Sequence, residues 1–189
     1  LTLFGVVTST FVAAQEEILS QVIVLAAFIA PIVDMGGNAC SQSATLVIRA
    51  MALGDVRLCW QDVWRVVRRE LPVAAALGLV VAGMETVLAR FSKGIGLDVL
   101  LVVGLSMLVC TVLGGIIGVL LPFAARRMGT DPATVSSPLI TSVMDLVGVF
   151  IYFAFAYAFL GDLLGDIATL IVLLAAVLGG SAWIYLYSY

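Results

Sequence analysis

Apolar residues run through this chain in blocks long enough to cross a bilayer, separated by short polar or basic connections. A hydrocarbon core needs about 20 consecutive apolar residues in helical form. Residues 18–35, 71–91, 97–123, 138–160 and 166–187 meet or approach that length. A sixth apolar stretch, residues 1–14, is too short to span alone, and a full first helix there needs residues ahead of Leu1. The start, Leu1-Thr2-Leu3-Phe4, has neither the basic segment nor the cleavage site of a signal peptide and reads as the cut end of a helix. The pattern predicts an all-α, polytopic membrane helix bundle forming one domain over residues 1–189.

Residues 54–70 break the apolar pattern. Val56, Trp60, Val63, Trp64 and Val67 recur at helical spacing opposite Arg57, Arg65, Arg68 and Arg69. Aromatic and basic residues on separate faces predict an amphipathic helix lying in the interface. Such a helix serves either as a connector with basic anchors or as a lipid-recognising surface. Basic residues also set orientation, because they concentrate on the cytoplasmic side. Of the nine Lys and Arg residues, all but Arg90 and Lys93 fall in the 49–69 and 124–137 regions. Those two loops are therefore expected in the cytoplasm of a plasma or inner membrane protein.

Composition narrows the chemistry. Hydrophobic residues make up 63% of 189, charged residues 11%, and the mean hydropathy is +1.22, against about 25% charged residues in soluble domains. A net charge of −3 carries no nucleic-acid footprint. Histidine is absent, which excludes Ser-His and Cys-His catalysis and imidazole-ligated metals. Cys40, Cys59 and Cys110 are too few and too scattered for a disulfide framework or zinc site. They read as small apolar side chains.

Polar groups inside apolar segments are costly unless they face protein, water or an ion. Asp145 sits within the span opening at Pro138, roughly 10–12 Å from its start. Ser137, Thr141, Asp145 and Gly148 share one helix face, as a water-lined cation path requires. The plainer alternative is a hydrogen bond from Asp145 to a neighbouring helix. Glu85 is placed to pair with Arg90 or Lys93. Asp34 falls near the end of a span, within cheap reach of interfacial water. After it come Gly36, Gly37, Asn38, Ser41, Gln42 and Thr45. Pro31 removes a helix donor just upstream, so this run is read either as an interrupted helix lining an ion site or as an interfacial loop ending a span. Gly114 and Gly118, four apart, allow close helix approach, for which packing within the chain suffices.

Two motifs resemble the MgtE family of magnesium channels. The first is GGN-x-x-x-Q-S-A-T from Gly36 to Thr45, followed by an Arg and a short amphipathic stretch. The second runs Leu121-Pro122-Phe123, Arg126-Arg127, Gly129, Asp131-Pro132-Ala133, Val135-Ser136, Pro138-Leu139 and on through Ser142, Asp145 and Gly148. Val7-Thr8-Ser9 also fits, so the resemblance covers roughly residues 1–160 in one order. It implies five membrane helices per subunit, the first truncated here, and a homodimer with its pore between subunits. Residues 163–189 would then be an additional C-terminal apolar helix. The acid matching Asp145 would hold hydrated Mg²⁺, with Gly37, Thr45, Thr141 and Gly148 around the ion. Asn38, Ser41 and Ser137 extend that wall, and Glu16 and Glu17 correspond to the external mouth. Mn²⁺ and Co²⁺ are further candidate ions. Family members usually also carry cytoplasmic N and CBS domains, which these residues do not contain.

The chain departs from the family pattern in several places. Where GGNTGNQ is common, it reads Gly36-Gly37-Asn38-Ala39-Cys40-Ser41-Gln42, and Ser136-Ser137-Pro138 replaces Ser-Asn-Pro. Asp34 adds an acid. The function expected is channel-type transport of a divalent cation and not enzymatic. A Na⁺- or H⁺-coupled exchanger is the alternative within transport. An intramembrane aspartyl protease using Asp34 and Asp145 is the alternative outside it, although neither acid lies in a Gly-x-Gly-Asp setting.

Overall fold

Long apolar helices with one face of small residues can bring their backbones together without losing a hydrogen bond, and this chain folds that way. The computed structural model describes residues 2–14, 23–93, 96–134 and 137–164, all helical apart from short connections and without strands. The helices are α1 (Thr2–Ala14), α2 (Ala26–Leu53), α3 (Trp60–Lys93), α4 (Leu97–Arg127) and α5 (Ser137–Leu164). Short 3-10 turns cover Ile23–Leu25 and Pro132–Thr134. Helices α2 to α5 are each long and apolar enough to cross a membrane. The expected segment 166–187 and the acids Glu16 and Glu17 lie outside the described residues.

The largest departure from expectation is α2. Of the apolar segment predicted over 18–35, residues 26–35 are only the first part of a continuous helix over 26–53, which passes through Pro31 and Gly36-Gly37-Asn38 without interruption. This stretch is therefore neither a broken helix nor an interfacial loop. Its glycines serve close packing. A Cβ on Gly114 or Gly118 of α4 would collide with the carbonyl oxygens of Gly36 and Cys40, respectively. A Cβ on Gly36 would meet Cys110 Sγ and Met144 Cε, at 2.5 and 2.7 Å. Helix α4 thus presses its small residues against α2 within one chain, which is the packing the Gly114/Gly118 spacing allows.

A glycine with positive φ does occur where α2 ends. Gly54 (φ 80°) donates its N–H to Met51 O at 3.2 Å, and Asp55 N–H reaches Ala50 O at 3.0 Å, closing a Schellman motif. The stretch 54–70 is likewise not a separate helix: 54–59 is a turn, and residues 60–70 are the opening turns of α3. Asp62 joins the two parts by accepting Arg57 N–H at 3.1 Å and an Arg65 Nη1 bond at 2.6 Å. At 34 residues α3 is roughly 50 Å long, more than a hydrocarbon core, so its Arg-rich start projects out of it.

The buried core lies where α2, α4 and α5 meet, with Ile32, Cys40, Val103, Cys110, Met144 and Tyr152 fully enclosed. Helix α1 docks on α5 through Phe11, whose ring centroid lies 4.3 Å from Phe150 and 5.8 Å from Phe153. Helix α3 packs mainly on α4. Only 17% of its most apolar stretch is buried, against 44% in each other span, so its outer side faces lipid or a partner.

Candidate functional site

The helical period sorts α2 into two faces. Gly36, Cys40, Ala44, Val47 and Met51 are buried against the bundle, while Asp34, Asn38, Gln42, Thr45 and Arg49 are exposed at spacings of three or four. An unbroken polar stripe therefore runs along one side of a membrane-spanning helix. Ser41 is half-buried at its edge and, with Gln42, Thr45 and Leu46, lines an open depression of about 450 Å³. Thr45 Oγ1 donates to Ser41 O at 2.8 Å, which uses its hydrogen and leaves the oxygen's lone pairs outward.

Helix α5 lies beside that stripe, running antiparallel to α2. A Cβ on Gly37 would lie 3.8 Å from Thr141 Cγ2, and one on Gly148 would lie 3.0 Å from Val33 Cγ2. Asp145 falls between Thr141 and Gly148, level with the Val33–Gly37 turn of α2. Asp34 lies within electrostatic reach of it. Thr141 is exposed, Asp145 half-buried and Asp34 exposed, all on the same open side.

The structure thus brings Asp145, Thr141, Gly37, Asn38, Ser41 and Thr45 to one α2–α5 surface. Gly148 is on the packed side, buried against Val33 and Cys110, so it serves helix contact and brings no group to the open face. Ser137 is the first residue of α5. Asp34 was read from the sequence as a carboxylate near a span end. It lies instead well inside a long helix, on the same open side as Asp145. Cys40, in place of the second family glycine, is turned toward α4 and buried, whereas Ser41, in place of the second amide, stays at the polar face. Among the described residues no three of His, Cys, Asp and Glu gather as metal ligands. The chain offers two carboxylates flanked by hydroxyls and amides, a set suited to the water shell of an ion.

A second polar link crosses the bundle. Ser43 Oγ, buried in α2, donates to Glu70 Oε1 of α3 at 2.5 Å. Behind it is a cavity of about 570 Å³ bordered by Asp55, Asp62, Arg65 and Arg69, a mixed-charge setting away from the α2–α5 stripe.

The sequence profile of a family described as a divalent cation transporter, MgtE, matches residues 29–155. The chain belongs to the MgtE family. It is 38% identical over 157 residues to the magnesium transporter MgtE of Thermus thermophilus, covering 82% of this chain and 34% of that protein. It is 28% identical over 163 residues to the magnesium transporter MgtE of Bacillus subtilis, covering 86% of this chain and 36% of that one. The protein of the same name in Enterococcus faecalis is 29% identical over 160 residues, 85% and 35% of the two chains. The chain therefore spans about a third of the length of these curated relatives. The family description and the names of these relatives are those of transporters of metal cations.

Proposed function

We propose that this chain forms the membrane pathway of a magnesium transporter, in which hydrated Mg²⁺ passes along the α2–α5 face and is held at Asp145. The observation that carries the reading is the polar stripe Asp34–Asn38–Gln42–Thr45, open on a membrane-spanning helix beside Asp145. Exposed to lipid, those groups would be costly. Two copies of the chain facing each other across this surface would cover it and enclose a wet path between them.

Mg²⁺ gives up its water reluctantly and prefers octahedral oxygen coordination. The carboxylates hold the hydrated ion through its waters, while Asn38, Ser41, Thr45 and Thr141 accept from the same shell. In a dimer two Asp145 and two Asp34 carboxylates converge, and without a cation they repel one another. A divalent ion relieves that repulsion more than a monovalent one, so the site favours two charges. Gly37 leaves room for Thr141, and Glu16 and Glu17 supply negative charge at the outer mouth. The 49–69 and 124–137 regions face the cytoplasm, with the protein in the plasma or inner membrane.

The test is Mg²⁺ uptake into proteoliposomes. Asp145→Ala is expected to abolish uptake while the protein still elutes as a folded species with unchanged helical circular dichroism. Undiminished uptake in that variant would overturn the assignment. The same two carboxylates also suit a proton-coupled exchanger. Uptake that persists with H⁺ and Na⁺ gradients collapsed by ionophores selects the channel, and uptake that stops selects the exchanger.

A further inference from the structure

At the basic end of the bundle the first turns of α3 and the last turns of α4 enclose a cleft of about 590 Å³. Its lining is apolar at buried Val63 and Phe123 and at the exposed Leu58 and Leu120, and it also carries the exposed Trp60, Arg126 and Arg127. No carboxylate lines it. The cavity on the other side of α3 differs in this respect, because Asp55, Asp62 and Glu70 there offset Arg65 and Arg69. Of these two cavities, only the α3–α4 cleft is lined by basic residues without acidic ones. Trp60 is 75% exposed, at the level where two membrane spans end. Tryptophan favours that level because its ring is amphipathic. Below it the outer side of α3 is the least buried of the spans.

We propose that this cleft binds one anionic phospholipid. The phosphate headgroup pairs with the Arg126 and Arg127 guanidiniums, whose fork geometry suits phosphate oxygens. The upper acyl chain lies on Leu120 and Phe123, with the Trp60 ring covering the glycerol region. A soluble anion would satisfy the arginines but leave the apolar lining wet, whereas a phospholipid satisfies both in one molecule. Basic pockets between helices at a membrane surface select anionic headgroups in this way.

The test uses Trp60 as reporter. The chain has three tryptophans, so Trp64→Phe with Trp183→Phe leaves Trp60 alone. This protein is reconstituted in phosphatidylcholine vesicles containing rising amounts of brominated phosphatidylglycerol or brominated phosphatidylcholine. Trp60 fluorescence should be half-quenched at a mole fraction roughly tenfold lower for the anionic lipid, within the increment expected of two arginines near a surface. Arg126→Gln with Arg127→Gln should erase that difference. Arg68→Gln with Arg69→Gln, which removes equal charge from residues outside the cleft, should preserve it. Equal quenching by the two lipids overturns the proposal. So does a preference that survives loss of Arg126 and Arg127, or one lost equally in the Arg68/Arg69 control, which would mark diffuse surface charge. Relief of quenching by millimolar inorganic phosphate would identify a soluble-anion site instead. Quenching is read without ion flux, so its outcome is separate from that of the transport assignment.

Discussion

Asp34 of α2 and Asp145 of α5 share the open side of one antiparallel helix pair, Asp34 exposed and Asp145 half-buried level with the Val33–Gly37 turn. Carboxylates so placed in a membrane domain repel, and a cation between them removes the repulsion. The pairing makes Asp34 a second acid on the proposed ion path, at a position where this chain adds a charge to the family motif.

Asp34→Asn keeps the size and hydrogen-bonding capacity of the side chain and removes its charge. Apparent Mg²⁺ affinity in proteoliposome uptake should fall roughly tenfold, about 1.4 kcal/mol, as expected for losing one nearby charge in a partly wet site. Asp34→Glu should retain most of the affinity. A change below twofold in Asp34→Asn would place this acid off the path.

Much of the bundle was legible from hydropathy. The α4 and α5 spans match the apolar segments 97–123 and 138–160 to within a few residues, because those helices are apolar on nearly all sides. The stripe through Thr141 and Asp145 was legible too, since few polar residues interrupt it. The second half of α2 was not. Asn38, Ser41, Gln42, Ser43, Thr45 and Arg49 lower the hydropathy there, and a helix with one polar face reads locally like a loop. Gly36-Gly37-Asn38 is also a turn signal when viewed alone. The α4 backbone at Gly114 and Gly118, distant in sequence, packs directly on this part of the helix. Ending the span at residue 35 puts Asp34 at an edge, whereas the continuous helix carries it into the span.

The same contact makes a stability prediction. Gly118→Val would drive its side chain into Cys40 O, a backbone atom held in a helix that cannot step aside cheaply. Overpacking of this kind costs typically about 1–3 kcal/mol, and a fixed carbonyl puts the expected cost at the upper end. Thermal unfolding in detergent, followed by size-exclusion chromatography of heated samples, should show a lowered midpoint. Gly83→Val is the control, since nothing lies within 4 Å of a Cβ built there. Equal midpoints for the two variants would mean that α2 and α4 are not in such close contact.

Tyr152 supplies a different kind of tie. Its hydroxyl is buried and donates to Leu25 O at 2.8 Å, joining α5 to the 3-10 turn ahead of α2. Tyr152→Phe removes one of the donors to that N-cap carbonyl, which costs about 0.5–1.5 kcal/mol. The thermal midpoint should drop while Mg²⁺ uptake at low temperature is unchanged, because neither group reaches the open face. A variant as stable as the parent would show that water or another donor serves Leu25 O.

Cysteine accessibility tests both the packing and the orientation. Cys40 and Cys110 are fully buried where α2 and α4 cross, whereas Cys59 is exposed in the turn before α3. In native protein a charged maleimide should therefore label Cys59 and leave the other two unmodified until the chain is denatured. The turn belongs to the arginine-rich region proposed to face the cytoplasm. In right-side-out vesicles the membrane-impermeant reagent should then fail to reach Cys59, and inverted vesicles should label it fully. Cys59→Ser provides the blank. Labelling of Cys59 from the outer side would reverse the topology, so that α2 would run outward and Asp34 would lie nearer the cytoplasm than Thr45. Labelling of Cys40 in undenatured protein would instead contradict the close crossing of α2 and α4 that holds the polar stripe in place.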